Sequence, residues 1–324
     1  MTQPSGRGEW EQAKESEHGN LQGGNRPSRE SFSKVTMGFD SGDERCSGWL
    51  YRPDRPAEPP VVVMAGGLAS DRSFGLPNYA ERLAEAGYAV FLFDYRNHGD
   101  SGGDPRNLVS PSRQRADWEA AIQGVRTRDG LDTSNLILWG TDLGGGHVLD
   151  VAADDPSVRA VVSQTPIRSG RAFLTTRGYG FLAKTVFSGI RDRLQSFAVG
   201  PYTVPIAGNP GEFALVSTPG ARRGYLDTVP SDAQWTNETP ARSLLNLARF
   251  SAGTDLDSVT CPVLLFGGTR DDVVPIESVA DAADEISDAT FVSLPVGHFD
   301  TYEGSGLDHV IGHAVAFLDA ELDN

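Results

Sequence analysis

Three side chains able to take part in covalent chemistry each stand just past an apolar run: Asp142, Asp271 and His298. Asp142 is centred in Trp139-Gly140-Thr141-Asp142-Leu143-Gly144-Gly145-Gly146. A nucleophile on a sharp strand-to-helix turn needs such glycines, because side chains two residues away would collide where strand and helix cross. The helix N-terminus behind the turn offers amide donors and positive potential to anything negative there. Taken alone, the run also fits a glycine-rich turn with no catalytic role, or a phosphate cradle.

The other two residues bear on that choice. Asp271 lies in Gly267-Gly268-Thr269-Arg270-Asp271-Asp272-Val273-Val274-Pro275, directly after the apolar run 263–266. An ordinary acidic turn would look the same, but a carboxylate there is also placed to orient a histidine. His298 follows the run 291–294 in Pro295-Val296-Gly297-His298-Phe299-Asp300, where a lone histidine is usually a satisfied loop residue. Nucleophile, acid and histidine in this chain order, each after a strand, form a hydrolytic triad pattern.

An aspartate does not simply replace serine. Its attack on an ester carbonyl would give a mixed anhydride and expel an alkoxide, whereas an sp3 carbon bearing a leaving group, as in a haloalkane or an epoxide, is a competent target. Water activated by His298, with Asp271 orienting the ring, would then hydrolyse the alkyl–aspartyl ester. An ionised Asp142 about 4 Å from His298 would interact by about 4 kcal/mol at an effective dielectric of ~20, so the imidazole pKa is expected to rise. The run Gly99-Asp100-Ser101-Gly102-Gly103 spells a trypsin-like active-site sequence, but only His18 and His98 precede it and its surroundings alternate strand and helix. It reads as a loop.

The elements that must position these residues follow a clear rhythm. An alternating run through Val35, Met37 and Phe39, an acidic turn at Ser41 to Glu44 and a strand at Trp49 to Tyr51 predict an antiparallel edge hairpin. From Val61, continuous apolar runs (61–64, 89–93, 136–139, 158–162) alternate with helical spacings at Leu76-Tyr79-Leu83, Trp118-Ile122-Val125 and Val148-Val151-Ala152. That is the pattern of a parallel sheet buried on both faces. Residues 167–256 interrupt it with probable helices (181–197, 240–250) and Pro/Gly-rich connections, and the rhythm resumes to the end. The expected fold is a doubly wound, mostly parallel α/β sheet with an antiparallel N-terminal hairpin. Residues 1–29 read as a disordered tail, 30–166 and 257–324 as the two parts of the core, and 167–256 as a lid insertion. Phe181, Phe187 and Trp235 are the candidates to line a pocket above Asp142.

Composition narrows the partners. The 324 residues are 39% apolar, with a formal charge of −16, which argues against nucleic acid and anionic membranes. No stretch approaches a membrane span, and no signal-peptide pattern opens the chain, so a cytoplasmic location is expected. Cys46 and Cys261 have no metal-ligand neighbours at useful spacing and read as buried free thiols. Neither a metal nor a cofactor is implied, and the partner is a small-molecule substrate.

With these residues in place, the chain resembles the α/β-hydrolase superfamily over roughly residues 30–322. It is most similar to lidded serine esterase-like proteins near the dienelactone-hydrolase and acetyl-xylan-esterase relatives. The resemblance rests on Val62-Val63-Met64-Ala65-Gly66-Gly67-Leu68, Phe93-Asp94-Tyr95-Arg96-Asn97-His98-Gly99-Asp100-Ser101-Gly102-Gly103, the turn at Asp142, 267–275 and 297–300. It implies Asp142 in the nucleophile slot, His298 as base, and Asp271 rather than Asp272 as acid. It also implies the amides of Leu68 and Leu143 as the oxyanion hole. Two departures stand out: Gly66-Gly67 where the family has His-Gly, and aspartate where it has serine. Asp-nucleophile branches of the superfamily are similar in arrangement, yet no tryptophan follows Asp142, and the lid tyrosines Tyr179, Tyr202 and Tyr225 form no assignable epoxide-activating pair.

Three readings stay open: a hydrolase with Asp142 as nucleophile acting on a small apolar substrate, a non-catalytic relative that binds such a ligand, and a serine-esterase scaffold carrying a Ser-to-Asp replacement.

Overall fold

The computed structural model describes residues 32–252 and 255–322; the tail expected at 1–29 lies outside the described residues. Two long strands, β1 (Phe32–Ser41) and β2 (Glu44–Pro53), form the antiparallel hairpin, closing at Ser41 opposite Glu44. Then come β3 (Pro60–Ala65), α1 (Leu76–Glu85), β4 (Ala89–Phe93), α2 (Pro111–Arg126), β5 (Asp132–Thr141), α3 (Leu143–Asp154) and β6 (Ala160–Gln164). The insertion holds α4 (Gly170–Thr175), α5 (Tyr179–Gln195), β7 (Thr203–Pro205), α6 (Ala221–Asp227), β8 (Glu238–Pro240) and α7 (Arg242–Leu247). The chain closes with β9 (Val263–Gly268), α8 (Ile276–Glu285), β10 (Ala289–Leu294) and α9 (Gly304–Leu322).

Eight strands make one sheet in the order β1-β2-β4-β3-β5-β6-β9-β10, antiparallel at β1–β2 and β2–β4 and parallel from β4 onward. Alternation along each strand feeds two cores. Val61, Val63, Phe91, Phe93, Leu136 and Leu138 pack on one face, and Val62, Met64, Val90, Leu92, Ile137 and Trp139 on the other. Both faces being covered explains the unbroken apolar runs. Because β3, β5, β6, β9 and β10 are parallel, everything just past their C-terminal ends gathers on one edge.

The insertion departs from expectation at α5. Its docked face is Thr185, Ser188, Gly189 and Asp192, small or polar residues at helical spacing. A Cβ on Gly189 would run into Leu245, so only glycine lets α5 approach α7 this closely. The Asp192 carboxylate accepts from the amides of Tyr202 (2.9 Å) and Arg242 (3.0 Å). The apolar residues therefore face outward, and Tyr179, Phe187 and Leu194 are exposed. Also unforeseen is the β7–β8 ribbon, an antiparallel pair too short to show a period in the sequence.

Candidate functional site

Asp142 follows the last residue of β5 and caps α3 with φ 56° and ψ −116°. A non-glycine residue held there costs about 1–3 kcal/mol and persists only where its surroundings fix it. Here they do: the Asp142 amide donates to the Gln164 carbonyl at 2.9 Å, and its own carbonyl accepts from the Ile167 amide at 3.0 Å. A Cβ on Gly140 would meet the Gly144 carbonyl, and one on Gly144 would meet that of Gly66, which gives the flanking glycines their steric reason.

The side chain of Asp142 turns toward the loop after β3. Its Oδ2 accepts from the Leu68 amide at 2.9 Å, while Oδ1 is buried and has no protein partner. The nearby Leu143 amide also favours the charged form, more weakly than the Leu68 amide, without a hydrogen bond to Asp142 among the described residues. Gly67 matters to this contact, since a Cβ there would lie 2.5 Å from the Asp142 Cβ and 2.7 Å from Oδ2. Gly67, which matches the glycine of the family's His-Gly pair, makes room for the carboxylate between two strand ends, whereas a Cβ on Gly66, the position that departs, would meet Ser70 Oγ and not Asp142. Burial pushes the Asp142 carboxyl up to about 6, opposed chiefly by the nearby His298 and then by the Leu68 amide.

His298 lies four residues past β10 and Asp271 three past β9. His298 Nδ1 is 2.8 Å from Asp271 Oδ2, and Asp271 Oδ1 accepts from the amides of Val273 (2.7 Å) and Val274 (2.8 Å). Those amides fix the carboxylate so that it faces the ring and leaves the other ring nitrogen, Nε2, for the chamber. Burial lowers the His298 pKa, but the charge and hydrogen bond of Asp271, with the charge of Asp142, outweigh it and raise it overall. Asp272, the alternative acid, makes no contact with His298 among those described.

Asp142 and His298 share the wall of a small chamber with Gly67, Leu68, Phe74, Tyr225, Thr228, Phe299 and Tyr302; its free volume is about 20 Å³, room for about one water. A wider pocket of about 260 Å³ adjoins it, with Thr228 and Tyr302 in both walls. From the insertion, therefore, α6 and the residue after it reach the site. The three aromatic candidates do not line the chamber. Phe181 packs on Phe213 under Arg177, Phe187 is 71% exposed on the outer face of α5, and Trp235 forms a layer behind Phe74 and Tyr225. For Phe187 the reason is the inverted face of α5: helical spacing identifies an apolar stripe but not the side that docks, while Phe181 and Trp235 pack against the core instead. Of the three tyrosines, Tyr179 is exposed, Tyr202 lies under Arg191, and Tyr225 alone reaches the chamber. Phe299 could have been suspected as the neighbour of His298; Phe74, Tyr225 and Tyr302 carried no local signal.

The trypsin-like run is structural. Ser101 Oγ donates to the Asp94 carbonyl at 2.8 Å and accepts from the Ser47 amide at 2.9 Å, so the hydroxyl is committed to holding the loop against β2. Arg72 bridges Asp94 and Asp100 beside it.

A family model described as Hydrolase_4, serine aminopeptidase S33, matches residues 58–297. The chain is 36% identical over 281 residues to the quorum-quenching protein AidA of Acinetobacter baumannii, covering 86% of this chain and 92% of that protein. Over 120 residues, 37% of each protein, it is 35% identical to thiohydrolase aneE of Aspergillus aculeatus. The solved structure of the DcsB complex with its substrate analogue shares the fold, with a TM-score of 0.79 at 24% identity over 91% of this chain and all of that one. No described helix is long and apolar enough to cross a membrane. With the sheet order, the strand-end constellation and a family match over most of its length, the chain is a hydrolase belonging to the α/β-hydrolase family described as Hydrolase_4, serine aminopeptidase S33.

Proposed function

We propose that the chain is a covalent hydrolase of a small, apolar substrate, with Asp142 as nucleophile and the His298–Asp271 pair activating water. One observation carries this reading: Asp142 Oδ2 rests on the Leu68 amide while the buried Oδ1 has no partner. A carboxylate so divided has one oxygen to attack with and one already seated where negative charge must later be stabilised.

Oδ1 bonds to a substrate carbon as that carbon's bond to its leaving group breaks, the leaving group keeping the electron pair. The product is an ester of Asp142. Water then gives a proton to His298 Nε2 and attacks Cγ; the charge that develops falls on Oδ2, against the amides of Leu68 and Leu143. Collapse breaks the Cγ–Oδ1 bond, and the alkoxide takes the proton from His298 as it leaves as an alcohol; the new Asp142 carboxyl, carrying water's oxygen, then loses its remaining proton to solvent to restore the carboxylate. Asp271 holds the ring and favours the imidazolium formed in between.

Of the two phenols in the chamber wall, Tyr225 is committed to the Leu68 carbonyl, so the first step suits a leaving group that departs without a proton, as a halide does, or a strained epoxide whose alkoxide takes its proton from the Tyr302 hydroxyl or from water. A thioester is a second candidate, favoured by the similarity to a protein named a thiohydrolase. A thiol of pKa about 8.5 leaves as thiolate far more readily than an alcohol leaves as alkoxide, which removes the main objection to carboxylate attack on an acyl carbon.

Single turnover in heavy-oxygen water tests the reading. Attack at an sp3 carbon places label in the Asp142 carboxylate, detected by peptide mass spectrometry. For a thioester, hydroxylamine should intercept the mixed anhydride. Turnover with neither label in Asp142 nor an interceptable anhydride would exclude the nucleophile role.

A further inference from the structure

We infer that helix α6 of the insertion clamps the site, with Tyr225 as a positioning residue that holds the Leu68–Ala69 peptide and, through the shared Leu68 Cα, steadies the Gly67–Leu68 amide aimed at Asp142. The inference rests on the proposed roles of Leu68 and Asp142 for its catalytic meaning, though its geometry does not depend on them.

Three contacts made by α6 support it. The Tyr225 hydroxyl donates to the Leu68 carbonyl at 3.0 Å, on the same residue whose amide donates to Asp142 Oδ2 at 2.9 Å. The Leu68 residue is thus gripped at both ends, by the insertion on one side and the elbow on the other. Second, the Tyr225 ring is held in its own right: it stacks on Trp235 at 5.8 Å and 23°, and meets Phe74 edge-on at 6.2 Å. The hydroxyl therefore projects from a fixed platform rather than from a mobile side chain. Third, α6 touches the opposite wall. A Cβ on Gly224 would come within 2.5 Å of the Phe299 ring, and Phe299 lies edge-on to His298 with ring centres 4.8 Å apart.

One short helix thus contacts the loop that carries the oxyanion donor and the loop that carries the base. Rotation of the Gly67–Leu68 peptide, which carries the amide, is the soft motion here, because Gly67 restrains it little on one side. The tyrosine hydroxyl opposes that rotation from the other side, by fixing the adjoining Leu68–Ala69 peptide. Seating of the insertion and readiness of the carboxylate then become one event.

Tyr225→Phe removes the hydroxyl and keeps the ring, so the stack and the burial survive. Without the anchor, the Leu68 amide should no longer favour the ionised carboxylate, and the Asp142 carboxyl, followed by carbon NMR and assigned against Asp142→Asn, should titrate about one pH unit higher. Where turnover is measurable, kcat should fall about tenfold with KM changed less than about twofold, as expected for a donor acting in the transition state. Gly224→Ala reports on the other wall: the His298 imidazole should titrate differently while the Tyr225 hydroxyl is intact. An Asp142 midpoint within about 0.2 pH unit of wild type in Tyr225→Phe, with only a lowered Tm, would reduce the hydroxyl to packing and overturn the inference. The titration needs no substrate. Failure of the heavy-oxygen test with a shifted Asp142 midpoint would leave the clamp standing and remove only its catalytic meaning.

Discussion

The Leu68 amide and Asp142 Oδ2 lie 2.9 Å apart, so the amide that the proposed mechanism uses as an oxyanion donor is already occupied by the chain's own carboxylate. This changes the order of events in the chemistry. Under the proposed mechanism the occupied Leu68 amide cannot assist a first attack on a carbonyl; it would act when the aspartyl ester is itself cleaved and Oδ2 takes the charge. The same contact explains why glycine stands at 67, where any Cβ would displace the carboxylate.

The two steps should respond to pH separately. Attack requires ionised Asp142, whose carboxyl lies near 6, so the pre-steady-state burst should grow about tenfold per pH unit below about 6 and level off above it. Hydrolysis of the ester requires neutral His298, whose pKa lies above that of free imidazole, so steady-state turnover should keep rising beyond the point where the burst is complete. Between the two midpoints the covalent ester of the proposed mechanism should accumulate. Stopped-flow and quench measurements across about pH 5 to 9 would check this, and a single shared midpoint for burst and turnover would contradict it.

Asp142 should also weaken the fold at neutral pH. Its folded pKa is raised to about 6, above that of the unfolded chain, so the native state loses stability as pH rises through that interval and does not recover it above. Asp142→Asn keeps the shape and removes the buried charge. We expect it to be more stable than wild type by about 2 kcal/mol at pH 8, the difference vanishing below about pH 4, in urea unfolding followed by fluorescence. Equal stability at pH 8 would mean that the site solvates the carboxylate better than its burial implies.

These residues differ in how far the sequence exposes them. Asp142, Asp271 and His298 each follow a continuous apolar strand, and a parallel sheet brings strand ends together whatever the details of packing, so their meeting at one edge was legible. Tyr225 was not, because it reaches the site from a segment without period, through a hydrogen bond to a residue 157 positions away. Phe187 was misread for a different reason. The stripe on α5 is real, but the helix docks through Thr185, Ser188, Gly189 and Asp192, and side-chain polarity did not announce which face would be satisfied by partners.

That inversion has a direct consequence. Phe187→Ser should leave kinetics unchanged and shift stability by no more than about 0.5 kcal/mol, as at other exposed positions. Trp235→Ala, which removes the platform under Tyr225, should cost about 2 kcal/mol and lower kcat. A rise in KM for Phe187→Ser with an apolar substrate would return α5 to the pocket wall.

Asp142→Ser separates the remaining readings. Serine at the elbow would take the carboxylate out of its seat, freeing the amides of Leu68 and Leu143 for a substrate oxyanion. His298, already fixed by Asp271 at 2.8 Å, would face a hydroxyl instead of a second negative charge, and its pKa should fall toward that of free imidazole. If the scaffold retains an esterase site, the variant should react with fluorophosphonate probes and hydrolyse short esters at least about a hundredfold faster than wild type, which has no hydroxyl for the probe to label. Gain of ester activity together with loss of the wild-type activity on halide, epoxide or thioester substrates identifies Asp142 as a working nucleophile of its own kind. Rescue with no wild-type turnover on any of them points to a binding protein, or to a serine esterase stripped of its nucleophile. Absence of both rescue and wild-type turnover would place the defect at the Gly66-Gly67 turn, where the Leu68 amide would follow the carboxylate's needs and not those of a substrate.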